Sequence, residues 1–313
     1  MPGWKEELVA DWVITVLARG SVEPVLDKVC ESLNEQGLEL DSIEMPTATQ
    51  QALEAVWGAD GPGYACAELS ATARLVDEKQ MRAAFRLLAD DRAIDIVVRR
   101  KSECARTPRL FVFDMDSTLI QGEVIDELAK LAGVGDRVVE ITASAMRGEI
   151  AFPESFRRRV GLLRGLPEER VLELLGRIPL MEGAERLFAE LRKRGAKTAI
   201  LSGGFTFFGI DVQRRLGADF VHANVLDIAG GVVTGEVKTE IVDGLRKAAL
   251  LAEIAEREGI PLEEVVAVGD GANDLPMLAL AGMGVAFHAK PLVRATAQHA
   301  MTHVGLDGLL YLL

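Results

Sequence analysis

Cysteine is scarce in this chain: three residues in 313, Cys30, Cys66 and Cys104, widely spaced and in no Cys-x-x-Cys or zinc-ligand pattern. An odd count fits poorly with a disulfide framework, so a reducing cytoplasm is the expected setting. Positive charge is also short, 35 Lys and Arg against 48 Asp and Glu for a formal net charge of -13. That argues against a nucleic-acid or anionic-membrane surface and leaves room for a local basic pocket for one small anion. No uninterrupted run of about 18 apolar residues occurs, and Met1-Pro2-Gly3-Trp4-Lys5-Glu6-Glu7 is acidic where a secretory signal would be basic and then apolar. Neither export nor membrane spanning is therefore expected. Internal repeats and low-complexity tracts are missing too. What remains, 49% apolar and 27% charged residues over a length sufficient for two domains, is the composition of a globular protein.

The N-terminal third alternates strand-like and helix-like stretches: 12–17, helical 22–36, 38–44, 63–70, helical 78–89 and 93–98. That order is β-α-β-β-α-β, the split pattern of a ferredoxin-like sandwich. Residues 99–108 are polar and end in proline, which marks a linker and divides the chain into 1–105 and 106–313. The apolar run Leu110-Phe111-Val112-Phe113 then forms a short buried strand. From about 125 to 180 there are helix-length patterns (124–131, 136–146, 153–163, 167–174), broken by glycines, and almost no β-branched runs. This predicts a small helical insertion. Alternation then resumes, with helices at 183–194, 205–216, 246–257 and 274–281, strands at 198–201, 265–268 and 285–287, and a hairpin at Gly230-Gly231. Such alternation implies a parallel sheet with helices on both faces, an α/β core of Rossmann-like type.

Three of the predicted strands end in polar residues: Asp114, Ser202-Gly203-Gly204, and Gly269-Asp270-Gly271. If the strands are parallel neighbours, all three ends meet in one crevice. Asp114-Met115-Asp116 offers a nucleophile and a proton donor, although an isolated Asp-x-Asp is equally a turn that caps a helix. Ser-Gly-Gly ahead of a helix suits an anion, because glycines let backbone N–H groups approach phosphate oxygens; a plain strand-to-helix turn reads the same way. Asp270 and Asp274, separated by small residues, can hold a hard cation through oxygen ligands. Magnesium beside Asp114 would neutralise an approaching phosphate that bare carboxylates repel.

Asp114-Met115-Asp116-Ser117-Thr118, Ser202-Gly203-Gly204-Phe205, Lys247 and Gly269-Asp270-Gly271-Ala272-Asn273-Asp274 resemble, in order and spacing, the four motifs of the haloacid-dehalogenase-type phosphatases. The insertion resembles the helical cap of that superfamily. Within it the resemblance is to the phosphoserine phosphatases, carried by Glu123, Phe152 and the run Phe156-Arg157-Arg158-Arg159-Val160, and it extends from about Leu110 onward. It implies Mg2+-dependent hydrolysis of O-phospho-L-serine, the last step of serine biosynthesis. Asp114 would be the nucleophile, and Asp116 the acid and base, with a pKa raised by burial and neighbouring carboxylates. Ser202, Gly203 and Lys247 would hold the phosphoryl oxygens, with Asn273 beside them. Asp114, the Asp116 backbone carbonyl, Asp270 and Asp274 would serve the metal. Glu123 would meet the substrate ammonium and Arg159 its carboxylate, with Met146 and Phe152 closing over both. From the residues alone, Glu123 is as readily a helix start, 157–159 a solvated basic face, and Met146 and Phe152 ordinary cap packing.

The β-α-β-β-α-β unit resembles the ACT-type regulatory modules, which implies an amino-acid effector such as L-serine and a homodimer; a dimerisation domain without ligand reads equally well. Three alternatives stay open for the catalytic half: another small phosphomonoester as substrate, phosphoryl transfer to a second alcohol, and a phospho-receiver that only switches a partner. Asp116 speaks against the last, since an acid/base group beside the nucleophile serves turnover.

Overall fold

The structure, a computed structural model, describes residues 10–45, 47–57, 61, 63–238 and 240–313. Alternation decides the first sheet. In β1 (Ala10–Arg19), Trp12, Ile14 and Val16 face one way and Val13, Thr15 and Leu17 the other, and all six are buried. Both faces of this sheet must therefore be covered. The chain continues through α1 (Glu23–Glu35), β2 (Glu39–Glu44), α2 (Ala48–Trp57), β3 (Tyr64–Ala73), α3 (Glu78–Arg92) and β4 (Asp95–Arg100). The strand order is β2-β3-β1-β4, antiparallel throughout, which is the ferredoxin-like arrangement. The Trp12 face packs under α1 and α3 through Val29, Leu33, Met81 and Phe85. The Leu17 face, with Cys66 and Val97, packs against Leu309, Leu310, Tyr311 and Leu312.

Two features differ from expectation. Helix α2 interrupts what reads as a plain connection, although Ala48, Ala52, Ala55 and Val56 recur at helical spacing; Leu53 and the partly buried Trp57 anchor it. The polar stretch 99–108 is not a free linker. Arg99 and Arg100 finish β4, and α4 (Lys101–Cys104) follows. Arg99 is buried and donates to the Leu312 carbonyl and to Thr15 Oγ1. Arginine composition reads as solvent exposure, whereas this guanidinium is enclosed by partners distant in sequence.

The second half begins with β5 (Leu110–Phe113), followed by α5 (Val124–Leu131), α6 (Gly135–Met146), α7 (Phe152–Leu162) and α8 (Glu168–Leu172) in the stretch expected as a cap. Then come α9 (Ala184–Lys193), β6 (Lys197–Phe205), α10 (Thr206–Leu216), β7 (Phe220–Asn224), and the hairpin β8 (Leu226–Ala229) and β9 (Val232–Val237). The remainder is α11 (Gly244–Glu258), β10 (Val265–Gly269), α12 (Leu275–Leu280), β11 (Met283–Phe287), α13 (Pro291–Thr296), β12 (His299–Met301) and a 3-10 turn at Leu306–Leu312. Six strands form one parallel sheet in the order β12-β11-β10-β5-β6-β7. Central β5 turns Leu110 and Val112 toward the Leu250, Leu251 and Leu278 side, and Phe111 and Phe113 toward Leu187 and Phe188. All four strand residues are buried, as a sheet covered on both faces requires.

The β8–β9 hairpin turns on Gly230 and Gly231, whose φ values of 60° and 76° are the left-handed pair that a tight hairpin needs. Gly165 N donates to Val233 O and Val233 N to Leu166 O, so the hairpin grips the connection between α7 and α8. The three cysteines are free thiols. Among the described residues no helix is long and apolar enough to cross a membrane.

Candidate active site

Strands β10, β5 and β6 are adjacent and parallel, with Val268, Phe113 and Ile200 in register. The residues just beyond them therefore share the carboxyl edge of the sheet, where open α/β folds build their sites. Lys247, wholly buried on α11, donates to Asp114 Oδ1 and to Asp274 Oδ1 at 2.6 Å each. Carboxylate oxygens of Asp114, Asp270 and Asp274 lie within 4.8 Å of one another. Three carboxylates against one ammonium leave positive charge in deficit, and an all-oxygen donor set of this kind suits a hard divalent cation. Burial first, then Asp274, pushes the Asp114 carboxyl well above the usual range, and the same two causes bring Asp270 up to about 7. Burial disfavours the Lys247 ammonium, yet Asp114 and Asp274 outweigh it and hold the lysine above its ordinary value. Carboxyls that resist ionising together are those a bound cation brings down.

Asp116 stands outside that cluster. Its Oδ1 accepts from Val124 N at the start of α5 (2.8 Å) and its Oδ2 from Ser202 Oγ (3.3 Å). Burial, then Glu123, pushes it up to about 7. Between the two aspartates' strand end and α5, Ser117 adopts φ 57°, a left-handed value uncommon for a non-glycine residue. Its N–H donates to Gly122 O (3.0 Å) and its Oγ to Glu123 Oε1 (3.1 Å), which holds the turn. Thr118 Oγ1 donates to Asp270 Oδ1 at 3.4 Å.

Ser202-Gly203-Gly204 differs from the expected strand-to-helix turn. All three residues lie within β6, whose pairing with β7 is irregular between Leu201 and Phe205, and α10 begins only at Thr206. The glycines are explained by close approach. A Cβ at Gly204 would stand 2.6 Å from Asp116 Oδ2, and one at Gly203 would stand 3.0 Å from Phe152 Cζ. Asn224, fully buried, fixes this strand end by donating to Gly203 O (2.8 Å) and accepting from Val242 N (2.9 Å). Sequence reasoning missed it, and its one signal was a polar residue ending a strand.

The helical insertion closes a cavity of about 890 Å³ over this edge. Asp114, Asp116, Asp270 and Asn273 form its floor, and Glu123, Phe152 and Arg159 come from the insertion. Ser202, Lys247 and Asp274 are wholly buried beside it. Of the three consecutive arginines, Arg157 and Arg158 are exposed, whereas Arg159 is turned into the cavity wall. Glu123 also caps α5, so its two readings are compatible. Phe152 stacks on Phe156, with ring centroids 6.0 Å apart and planes at 10°. The side chain of Met146 lies outside the described residues. Asp126, Thr142, Ser155 and Lys290 also line the cavity; as lone residues in helices or a loop they carry no motif.

The haloacid dehalogenase-like hydrolase family matches residues 108–282. A phosphoserine phosphatase of Archaeoglobus fulgidus is 46% identical over 233 residues, 74% of this chain and 68% of that protein. Among solved structures, a HAD family hydrolase from Salmonella enterica serovar Typhi aligns over 96% of this chain and 98% of its own, with a TM-score of 0.82 at 30% identity. A probable phosphoserine phosphatase from Vibrio cholerae, in unliganded form, aligns over 97% of this chain and 86% of its own, with a TM-score of 0.73 at 33% identity. The chain belongs to the haloacid dehalogenase-like hydrolases, in their phosphoserine phosphatase family.

Proposed function

We propose that this enzyme hydrolyses O-phospho-L-serine to L-serine and inorganic phosphate, the last step of serine biosynthesis, with Mg2+ as cofactor and a phosphoaspartate on the way. The observation that carries the reading is the asymmetry of two carboxyls on one cavity. Asp114 is bonded to Lys247 within the acidic cluster, and Asp116 to Val124 N and Ser202 outside it. Two carboxyls in different settings suit a nucleophile and an acid/base. An Asp114 oxygen attacks phosphorus in line, the bond from phosphorus to the serine oxygen breaks, and Asp116 gives its proton to that oxygen. Water then attacks the same phosphorus, its proton passing to Asp116 as the bond to Asp114 breaks, which restores both carboxyls. Ser202 Oγ, the Gly203 N–H, Lys247 and Asn273 hold phosphoryl oxygens, so most of the acceleration comes from positioning and preorganised charge. Asp114, Asp270, Asp274 and the Asp116 backbone carbonyl are the groups that would hold Mg2+, which when bound supplies the positive charge a phosphate needs to approach.

Glu123 takes the substrate ammonium and Arg159 its carboxylate, through a fork lysine does not copy. Phe152 excludes water. Phosphate release from O-phospho-L-serine, with Mg2+ and after chelation, tests the reading: turnover is expected with the metal and lost without it. Asp114→Asn is expected to stop turnover and phosphoenzyme formation while circular dichroism stays unchanged. Near wild-type turnover in that variant overturns the nucleophile, and no release by the wild type overturns the substrate.

For the N-terminal unit the proposal is an ACT-type module with an amino-acid effector such as L-serine and a homodimer, the alternative being a dimerisation domain without ligand. Since α1 and α3 cover one face of its sheet and the catalytic half the other, the β2 edge, exposed at all 6 residues, is what the sheet offers for pairing. A cytoplasmic setting goes with the free thiols.

A further inference from the structure

Helix α7 carries Ser155 and Arg159 four residues apart, hence one above the other on a single face. Both line the cavity, at 1% and 9% exposure. Neither Ser155 Oγ nor Arg159 Nε has a hydrogen-bond partner, and the same holds for Thr142 Oγ1, which reaches the cavity from α6. A serine within a helix can satisfy its hydroxyl on the carbonyl one turn back. Here the Ser155 N–H takes the Ala151 carbonyl at 3.0 Å and the hydroxyl makes no such bond. A buried donor without an acceptor is destabilising, and all three belong to residues that line one cavity. An alanine would occupy the Ser155 position at no such cost.

Arg159 Nε can only donate and the two hydroxyls can donate as well, so one group that accepts several hydrogen bonds would satisfy all three. Among the groups of a small zwitterionic phosphomonoester, only the carboxylate and the phosphate answer to that. The phosphate is claimed by the other wall, around Asp114 and the acidic cluster. Burial holds the Arg159 guanidinium below its ordinary value, and the cap-side acids Glu123 and Asp126 lie near enough to oppose that in part, so this wall pairs one cation and two hydroxyls with two carboxylates. That arrangement complements a ligand bearing a carboxylate and an ammonium on neighbouring atoms.

We propose that Ser155 is a specificity-determining residue whose Oγ–H donates to the substrate carboxylate beside the Arg159 fork, with Thr142 donating from α6. The inference rests on phosphoserine being the substrate, and the test separates the two. Full-length wild type, Ser155→Ala and Thr142→Val are compared with Mg2+ on O-phospho-L-serine and on p-nitrophenyl phosphate, which has no carboxylate. Loss of one hydrogen bond to a charged group is expected to raise KM for phosphoserine about tenfold in Ser155→Ala, with kcat held within about twofold and the aryl phosphate kinetics unmoved. Thr142→Val is expected to shift the same way by a smaller factor. An equal KM change on both substrates, or no change on either, overturns the role of Ser155 and leaves the substrate assignment intact. A wild type that cleaves the aryl phosphate and not phosphoserine overturns the substrate, and the carboxylate cradle with it.

Discussion

Lys247 divides one positive charge between Asp114 and Asp274; the lysine and Asp274 are shut away from water, and Asp114 meets only the cavity. A lysine so placed cannot relax toward solvent, so its charge is fixed at the point where phosphate charge arrives. Removing it leaves two carboxylates facing each other without compensation. Lys247→Met is expected to lower stability by about 3–5 kcal/mol in metal-free urea unfolding and to stop turnover. The aspartates at this site were legible in the sequence because each follows a short apolar run that ends abruptly. Lys247 was legible only beside a family pattern. Thr118 was legible only as the end of the first motif, Asn224 only as a polar residue closing a strand, and Ser155 not at all: the first two take their meaning from partners 152 and 21 positions away, and the third from a cavity. A single hydroxyl or amide leaves no period in a sequence.

At the scale of elements, the hairpin β8–β9 joins the catalytic sheet to the cap. Glu168 N donates to Gly231 O at 2.9 Å, and the two bonds through Val233 fasten the end of α7. Arg159 and Ser155 ride on that helix, so the hairpin helps set the wall they form. Valine at 231 would have to hold φ near 76°, where a branched side chain is strained. Gly231→Val is expected to cost about 1–2 kcal/mol in denaturant unfolding, with a rise in KM for phosphoserine as α7 loses its clamp. The Gly-Gly turn announced this hairpin, since two left-handed residues together have few other uses. The glycines of 203–204 gave the opposite lesson. They read as a turn, but the strand runs on through them, because Asn224 takes up the Gly203 carbonyl and the space beside them belongs to Asp116 and Phe152.

For the whole molecule, the junction of the two halves is dense and polar at its edges. Arg19 pairs with Glu182 through two hydrogen bonds of 2.8 and 2.6 Å, and Asp95 accepts from three successive N–H groups, Thr302, His303 and Val304. His299 of β12 is enclosed there, with Arg82 of α3 at 3.3 Å from its Nδ1; burial, then Arg82 and Arg99, hold it well below the ordinary histidine value of 6.5. The folded protein keeps this imidazole neutral while the unfolded chain takes up a proton below that value, so stability falls as pH drops from 6.5. The slope is at most about 1.4 kcal/mol per pH unit from this group. His299→Gln is expected to flatten the fall in melting temperature between pH 7 and pH 5 relative to wild type. Nothing local to residues 95–108 reveals this docking, because the bonds just named span from 163 to 217 positions. It also bears on how the chain is made. Leu17, Cys66 and Val97 share their cluster with residues 309–312 as well as with Leu53 of α2. During synthesis this sheet therefore keeps part of one apolar face open until residues 309–312 have been translated, and that interval is when the nascent chain is most exposed to sticking to its neighbours.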